Sequence, residues 1–202
     1  KFELLNHLDQ IDFSNDIKSS YSGPITDVKT FKPSYSSDDD RTRSFLKVQD
    51  GCDYNCTFCT IPLARGKSRN ASIKKTVNLA KDISRTNTKE IVLTGVNIGD
   101  FGKETDENFY DLIQQIDNNV DIERIRISSI EPNLLTDEII EFCFSSKKFM
   151  PHFHIPLQSG SDRILRSMKR RYRTSLYSDR LNKIKSLDKD ACIGVDVIVG
   201  YP

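Results

Sequence analysis

Gly51-Cys52-Asp53-Tyr54-Asn55-Cys56-Thr57-Phe58-Cys59 places three cysteines within eight residues, at the spacing C-x3-C-x2-C. The run follows Phe45-Leu46-Lys47-Val48-Gln49, a short apolar stretch that reads as a strand. The number of thiolates decides the chemistry. Structural zinc takes four ligands in a closed tetrahedral shell. A cubane iron–sulfur cluster has about four irons, each normally held by one protein ligand. Three local thiolates would therefore leave one iron open to chelate a second molecule.

The cysteines have two other conceivable uses. A three-cysteine zinc site would need a distant fourth ligand, for which Cys143, Cys192, His152 and His154 are available. Structural zinc loops, however, usually come as paired knuckles. A disulfide framework fits poorly with five cysteines, an odd count, and with a chain this long. Cys143 lies in the apolar pattern Ile139-Ile140…Phe142-Cys143-Phe144, and Cys192 opens a strand; both read as packing residues.

The 202 residues suffice for one substantial core, and 37% hydrophobic with 29% charged residues fits a globular protein. No apolar run approaches membrane-spanning length, so no membrane role is expected. No targeting segment is evident, and a reduced cytoplasmic setting suits thiolate chemistry. The net charge of +1 favours no partner, but charge is unevenly placed. Arg163, Arg166, Lys169, Arg170, Arg171, Arg173, Arg180, Lys183, Lys185 and Lys189 face only Asp162, Asp179 and Asp188 between residues 161 and 189. Such a stretch reads either as a phosphate-meeting surface or as a solvated helical face.

Hydrophobic periodicity gives the organisation. Residues 1–20 begin as a helical tail and turn polar, residues 25–31 alternate like a strand, and Pro33 to Asp40 reads as a linker loop. Strands are expected over 44–49, 89–94, 122–128, 152–157 and 192–199, and helices over 72–86, 106–118, 134–145 and 161–187, the last broken near Arg171–Thr174. Ser72, Thr136 and Ser161-Asp162 supply capping chemistry. Alternating strands and helices imply an α/β fold with a parallel sheet and right-handed crossovers. Five strands fall short of the eight of a closed barrel, so a partial, open barrel ending after the fifth strand is predicted.

Active sites of parallel βα folds gather at the carboxyl ends of strands. Those ends read Thr94-Gly95-Val96-Asn97, Ser128-Ser129-Ile130-Glu131-Pro132, Gln158-Ser159-Gly160-Ser161 and Gly200-Tyr201-Pro202. All are small or polar, and all share a rim with the cysteine run. One ligand site there is expected. His152 and His154, at i and i+2, share a strand face and read as hydrogen-bonded rim residues. Lys169-Arg170-Arg171 is a candidate for holding a carboxylate or phosphate.

At these residues the sequence resembles the methylthiotransferases of the radical S-adenosylmethionine (SAM) superfamily. The matching segments are Gly51-Cys52, Cys56-Thr57-Phe58-Cys59-Thr60-Ile61-Pro62, Ala64-Arg65-Gly66 and Glu90 to Asn97. They continue through Arg126 to Pro132, His154 to Ser161, Met168-Lys169-Arg170 and Asp196 to Pro202. Arg170-Arg171-Tyr172 with Asp179 to Lys185 is most similar to the branch that modifies N6-threonylcarbamoyladenosine beside tRNA anticodons.

The resemblance implies that Cys52, Cys56 and Cys59 hold a SAM-binding [4Fe-4S] cluster. Phe58 would lie near the SAM adenine, and Thr94, Gly95 and Asn97 beside the SAM amino group. Ser129, Glu131, Gln158 and Ser159 would contact ribose or methionine polar groups, and Arg170 the SAM carboxylate. A reductase would supply electrons, and a tRNA adenosine would receive the methylthio group. Residues 1–40 would be the tail of an N-terminal domain plus a linker, and 41–202 a radical SAM core incomplete at its C-terminus. A second [4Fe-4S] cluster would belong to the full-length protein only, so this stretch alone is expected not to complete methylthiolation. A methylthiotransferase acting on another tRNA adenosine or on a ribosomal protein shares the same cysteine chemistry. A zinc-stabilised, non-catalytic RNA-binding module is the alternative of a different class.

Overall fold

The computed structural model describes Ile25, Val28, residues 30–36 and residues 41–202. The reading of residues 1–20 and of the acidic run at 38–40 lies outside the described residues. The strands are β1 (Ser34–Tyr35), β2 (Arg43–Lys47), β3 (Gln49–Asp50), β4 (Arg69–Asn70), β5 (Glu90–Thr94), β6 (Arg124–Ile127), β7 (His152–His154) and β8 (Cys192–Gly194). The helices are α1 (Ile61–Arg65), α2 (Ile73–Ser84), α3 (Phe109–Asn119), α4 (Asp137–Ser145), α5 (Asp162–Ser167) and α6 (Thr174–Leu187), with a 3-10 turn at Ile98–Asp100.

The main sheet has the order β1-β2-β5-β6. Its core is parallel: Phe45 lies beside Val92 and Val92 beside Arg126, while Leu46 lies beside Leu93 and Leu93 beside Ile127. These two sets point to opposite faces, because strand side chains alternate. Leu46, Leu93 and Ile127 are buried, whereas Phe45 is 44% exposed. The helices therefore cover one face. α2 contributes Thr76, Val77, Ala80 and Ile83, and α3 contributes Phe109, Leu112, Ile113 and Ile116. Both sets follow helical periodicity. Leu93 is fully buried at the centre of this layer. Leu93→Ala is expected to lower unfolding free energy by about 2–5 kcal/mol, read by urea titration.

β7 and β8 form a second parallel pair. Bridges from Ile125 to Phe149 and from Ser129 to His154 join that pair to β6. The result is an open, curved α/β half-barrel, as the sequence predicts, with no closed barrel among the described residues. No described helix is long and apolar enough to cross a membrane.

Several boundaries differ from the periodicity reading. Asn108 and Thr136 cap α3 and α4 through their side chains, so these helices begin later than expected. Ser161 makes no side-chain cap. Asp162 instead accepts a hydrogen bond from the Thr174 amide at 2.8 Å, closing the start of α6 across the predicted break. Ser34–Tyr35 pairs antiparallel with Leu46 and Lys47, so the expected loop from Pro33 carries an edge strand. Ile25, Val28, Thr30 and Phe31 lie in no strand; Val28 donates to the Ile25 carbonyl in a turn. The fifth strand stops at Gly194, and beyond it only Val197 bridges to Gln158. Cys143 is buried as expected, and burial pushes its thiol up to about 12. Cys192, expected to pack, is exposed at the start of an edge strand.

Candidate cofactor site on the carboxyl rim

The cysteine loop is the long excursion between β3 and β4. These two-residue strands pair antiparallel, with Gln49 opposite Asn70 and Asp50 opposite Arg69. They pin the loop at its base. Asp50, 1% exposed, meets Lys47 at 3.3 Å, Arg65 at 3.5 Å and Arg69 at 3.2 Å. Arg69 also donates to the Arg65 carbonyl at 2.7 Å and the Lys67 carbonyl at 3.0 Å. Both arginines of the Arg65-Gly66-Lys67-Ser68-Arg69 run thus brace the base of the loop.

Gln49 does the corresponding work toward β5. Its amide nitrogen donates to the Gly51 carbonyl at 2.7 Å and to Ser68 Oγ at 2.9 Å. Its oxygen accepts from the amides of Val96 at 3.0 Å and Asn97 at 2.8 Å. One fully buried side chain therefore holds the cysteine loop against the Thr94–Asn97 rim. The sequence reading missed it. Its signal was a polar residue closing an otherwise apolar strand.

Gly51 turns the chain into the loop at φ +75°, and a Cβ there would lie 1.9 Å from the Lys67 carbonyl oxygen. No side-chain adjustment relieves a clash with backbone. Gly51→Ala is expected to cost about 3 kcal/mol or more, combining left-handed strain with displacement of the loop. Thermal unfolding of the metal-free protein checks it.

Within the loop Cys56 is buried, and Cys52 and Cys59 are half-buried. The Cys52 sulfur accepts from the Tyr54 amide at 3.4 Å. Burial is the main cause pushing the Cys52 thiol up to about 11. The Cys56 sulfur accepts from Arg170 Nη1 at 3.1 Å. Among the described residues no three His, Cys, Asp or Glu side chains converge as a metal site in this conformation. That holds equally for His152, His154, Cys143 and Cys192. His154 Nε2 instead lies 3.1 Å from Asp196.

The donor set nonetheless suits an iron–sulfur cluster. It offers three thiols on one backbone-anchored loop, with a cation and an amide already directed at two sulfurs.

The structure brings most of the predicted rim residues together. Glu131 pairs with Arg170 Nη2. Arg170 Nε lies 3.3 Å from Tyr172 Oη, and that hydroxyl is 2.8 Å from the carbonyls of Pro156 and Leu157. Gln158 and Ser159 come directly after, Gln158 with φ +64°. The Phe58 ring centroid is 5.9 Å from the Arg170 guanidinium. Thr94 ends β5 and Gly95 follows it; a Cβ on Gly95 would lie 2.8 Å from Ile98 and 2.9 Å from the Gln49 carbonyl. Ser129 bridges to His154. Asn97 is 4% exposed, and its amide nitrogen donates to Asp100 at 2.9 Å. Burial, ahead of the charges around it, raises the Asp100 carboxyl. Asp100 and Tyr54 were missed as parts of this rim. Tyr54 accepts from Asn133 at 2.8 Å and lies under the Arg171 guanidinium at 3.9 Å.

The far end of the chain also reaches the loop. The Thr57 amide donates to the Met168 carbonyl at 3.3 Å, and Thr57 Oγ1 lies 2.6 Å from Tyr201 Oη. The family model described as Radical SAM superfamily matches residues 46–202.

The chain belongs to the radical SAM superfamily. That membership brings a [4Fe-4S] cluster and SAM as cofactors. The chain is 45% identical over 165 residues to the threonylcarbamoyladenosine tRNA methylthiotransferase MtaB of Bacillus subtilis, covering 81% of this chain and 37% of that protein. It is 37% identical over 203 residues to the MtaB of Rickettsia prowazekii, covering 99% of this chain and 48% of that protein. The chain therefore spans less than half the length of these relatives. Among solved structures it is similar to the cobalamin-dependent SAM radical enzyme OxsB with aqua-cobalamin and SAM bound. The TM-score is 0.57 and the identity 19%, over 76% of this chain and 23% of that one. The radical SAM methyltransferase TsrM of Kitasatospora setae gives a TM-score of 0.56 at 12% identity, over 76% of this chain and 30% of that chain. At these identities the structures speak for the fold alone.

Proposed function

We propose that residues 41–202 are the radical SAM core of a methylthiotransferase acting on N6-threonylcarbamoyladenosine in tRNA. The observation that carries the reading is the 45% identity to the Bacillus subtilis MtaB across 81% of this chain. Cys52, Cys56 and Cys59 would hold the cluster, and its open iron would leave room for SAM. When bound, the cluster and SAM supply one electron and an adenosyl radical for hydrogen abstraction. The protein's own residues would do the rest. Phe58 offers an aromatic face for the adenine, and Thr94, Gly95 and Asn97 form the rim on the amino-group side. Ser129, Glu131, Gln158 and Ser159 offer polar atoms to ribose and methionine. Arg170 would stand at the SAM carboxylate; here its guanidinium pairs with Glu131.

A second cluster would be held outside residues 41–202, and a reductase would deliver electrons in the cytoplasm. The basic residues at and beyond α5, with exposed Lys169 and Arg171 on the cysteine-loop side, would meet the tRNA backbone.

The test is nucleoside mass spectrometry of tRNA from cells with and without the gene. Loss of the gene should leave N6-threonylcarbamoyladenosine without its methylthio group, and a copy carrying Cys56→Ala should not restore it. A methylthio group that persists on that nucleoside, with one disappearing from another nucleoside or from a ribosomal protein, would refute the substrate.

A further inference from the structure

We propose that Arg170 is the positioning residue of the cysteine loop: it fixes the Cys56 sulfur for the cluster and raises the cluster's reduction potential through its hydrogen bond. The inference rests on the reading that Cys52, Cys56 and Cys59 hold a [4Fe-4S] cluster.

The backbone fixes the arginine first. α5 ends at Ser167 with Met168 as its C-cap, and Lys169 follows with φ +58°. The Arg170 amide reaches back to the Leu165 carbonyl at 2.9 Å and the Lys169 amide to Arg166 at 3.0 Å. This is a left-handed helix end, whose amides satisfy carbonyls of the last turn. The Arg170 side chain turns to Cys56, Glu131 and Tyr172 and is 8% exposed.

A guanidinium does not lose its proton in a protein, so a full positive charge is forced into this wall. Three protein groups receive it: Glu131 at Nη2, Cys56 Sγ at Nη1 and Tyr172 Oη at Nε. The Tyr172 ring centroid lies 5.0 Å away and the Phe58 centroid 5.9 Å. Tyr172 is itself tied to the Pro156 and Leu157 carbonyls. The cation is therefore held from several directions, with one donor aimed at a ligand sulfur.

Hydrogen bonds to ligand sulfurs, and net charge nearby, set the potentials of iron–sulfur centres. Reduction adds negative charge, which a cation at Cys56 stabilises and the Glu131 carboxylate opposes. The two partners of one ion pair therefore predict shifts of opposite sign.

The test is a dye-mediated potentiometric titration of the anaerobically reconstituted protein, without SAM, with iron per chain measured in parallel. Arg170→Gln should bind iron but lose it faster to a chelator, and should titrate at a more negative potential than the unaltered protein. Arg170→Lys should shift in the same direction by less, since it keeps the charge but loses the fixed fork. Glu131→Gln should move to a more positive potential. If Arg170→Gln does not fold, the lysine variant and Glu131→Gln carry the test. Equal potentials in all forms, or shifts of one sign for both partners, would overturn the role of Arg170 while leaving the cysteine reading intact. An unaltered protein that takes up no iron would overturn the cysteine reading, and this inference with it.

Discussion

Cys56→Ala is expected to remove the capacity for a cluster altogether. The unaltered protein, reconstituted anaerobically with iron and sulfide, should bind about four irons per chain and turn brown; the variant should remain nearly colourless. Two cysteine ligands on a loop cannot hold a cubane that normally takes one thiolate per iron. The effect should be specific to the loop. Cys143 is buried on α4 and Cys192 is exposed on β8, so Cys143→Ala and Cys192→Ala should each retain the iron. A fourth ligand drawn from either would make one of these variants fail as completely as Cys56→Ala. The same experiment therefore separates an open three-cysteine cluster from a closed four-ligand metal site.

Gln49→Leu should weaken the metal-free fold strongly. The amides of Val96 and Asn97 would lose their acceptor, and the Gly51 carbonyl and Ser68 hydroxyl would lose their donor. A buried polar group left unpaired costs about 1–3 kcal/mol, and such costs within one network are not additive, so a loss of about 3–5 kcal/mol is expected in urea unfolding. Gln49→Glu would keep an acceptor for both amides but set a buried carboxylate against the Gly51 carbonyl, and should be at least as destabilising. A Leu variant as stable as the unaltered protein would mean that Gln49 does not join loop and rim. Loss of that joint should also lower iron uptake, since Gly51 opens the cysteine run.

How legible each part of the fold is in the sequence depends on how local its signal is. The βα alternation was legible because α2 and α3 each bury residues at helical spacing and because β5 is rich in branched apolar residues. The break between α5 and α6 was legible as a charged run without apolar periodicity. The hairpin of β3 and β4 was not legible, since two residues carry no period, and it is fixed by Gln49, Asp50 and Arg69 reaching across the loop.

The site divides in the same way. The cysteines announce themselves by spacing. The rim segments stand out because each parallel strand gives way to small or polar residues, and Glu131 and Arg170 were both picked out. Their pairing with each other, and the turn of Arg170 toward Cys56, depends on a left-handed residue at Lys169 that no pattern at that position signals. Asp100 and Tyr54 were missed because a buried carboxyl in a 3-10 turn and a tyrosine inside the cysteine run look like ordinary turn and packing residues. Membership in the superfamily also sets aside the zinc-stabilised binding module, which needed a distant fourth ligand for the three cysteines and took the basic stretch as its function.

The most direct test is electron paramagnetic resonance of the reconstituted, dithionite-reduced protein before and after SAM is added. The account predicts a signal from a reduced [4Fe-4S] cluster whose shape changes when SAM is present, because the ligand would bind at the iron that Cys52, Cys56 and Cys59 would leave open. A protein that instead retains one tightly held zinc, takes up no iron and gives no response to SAM would contradict it.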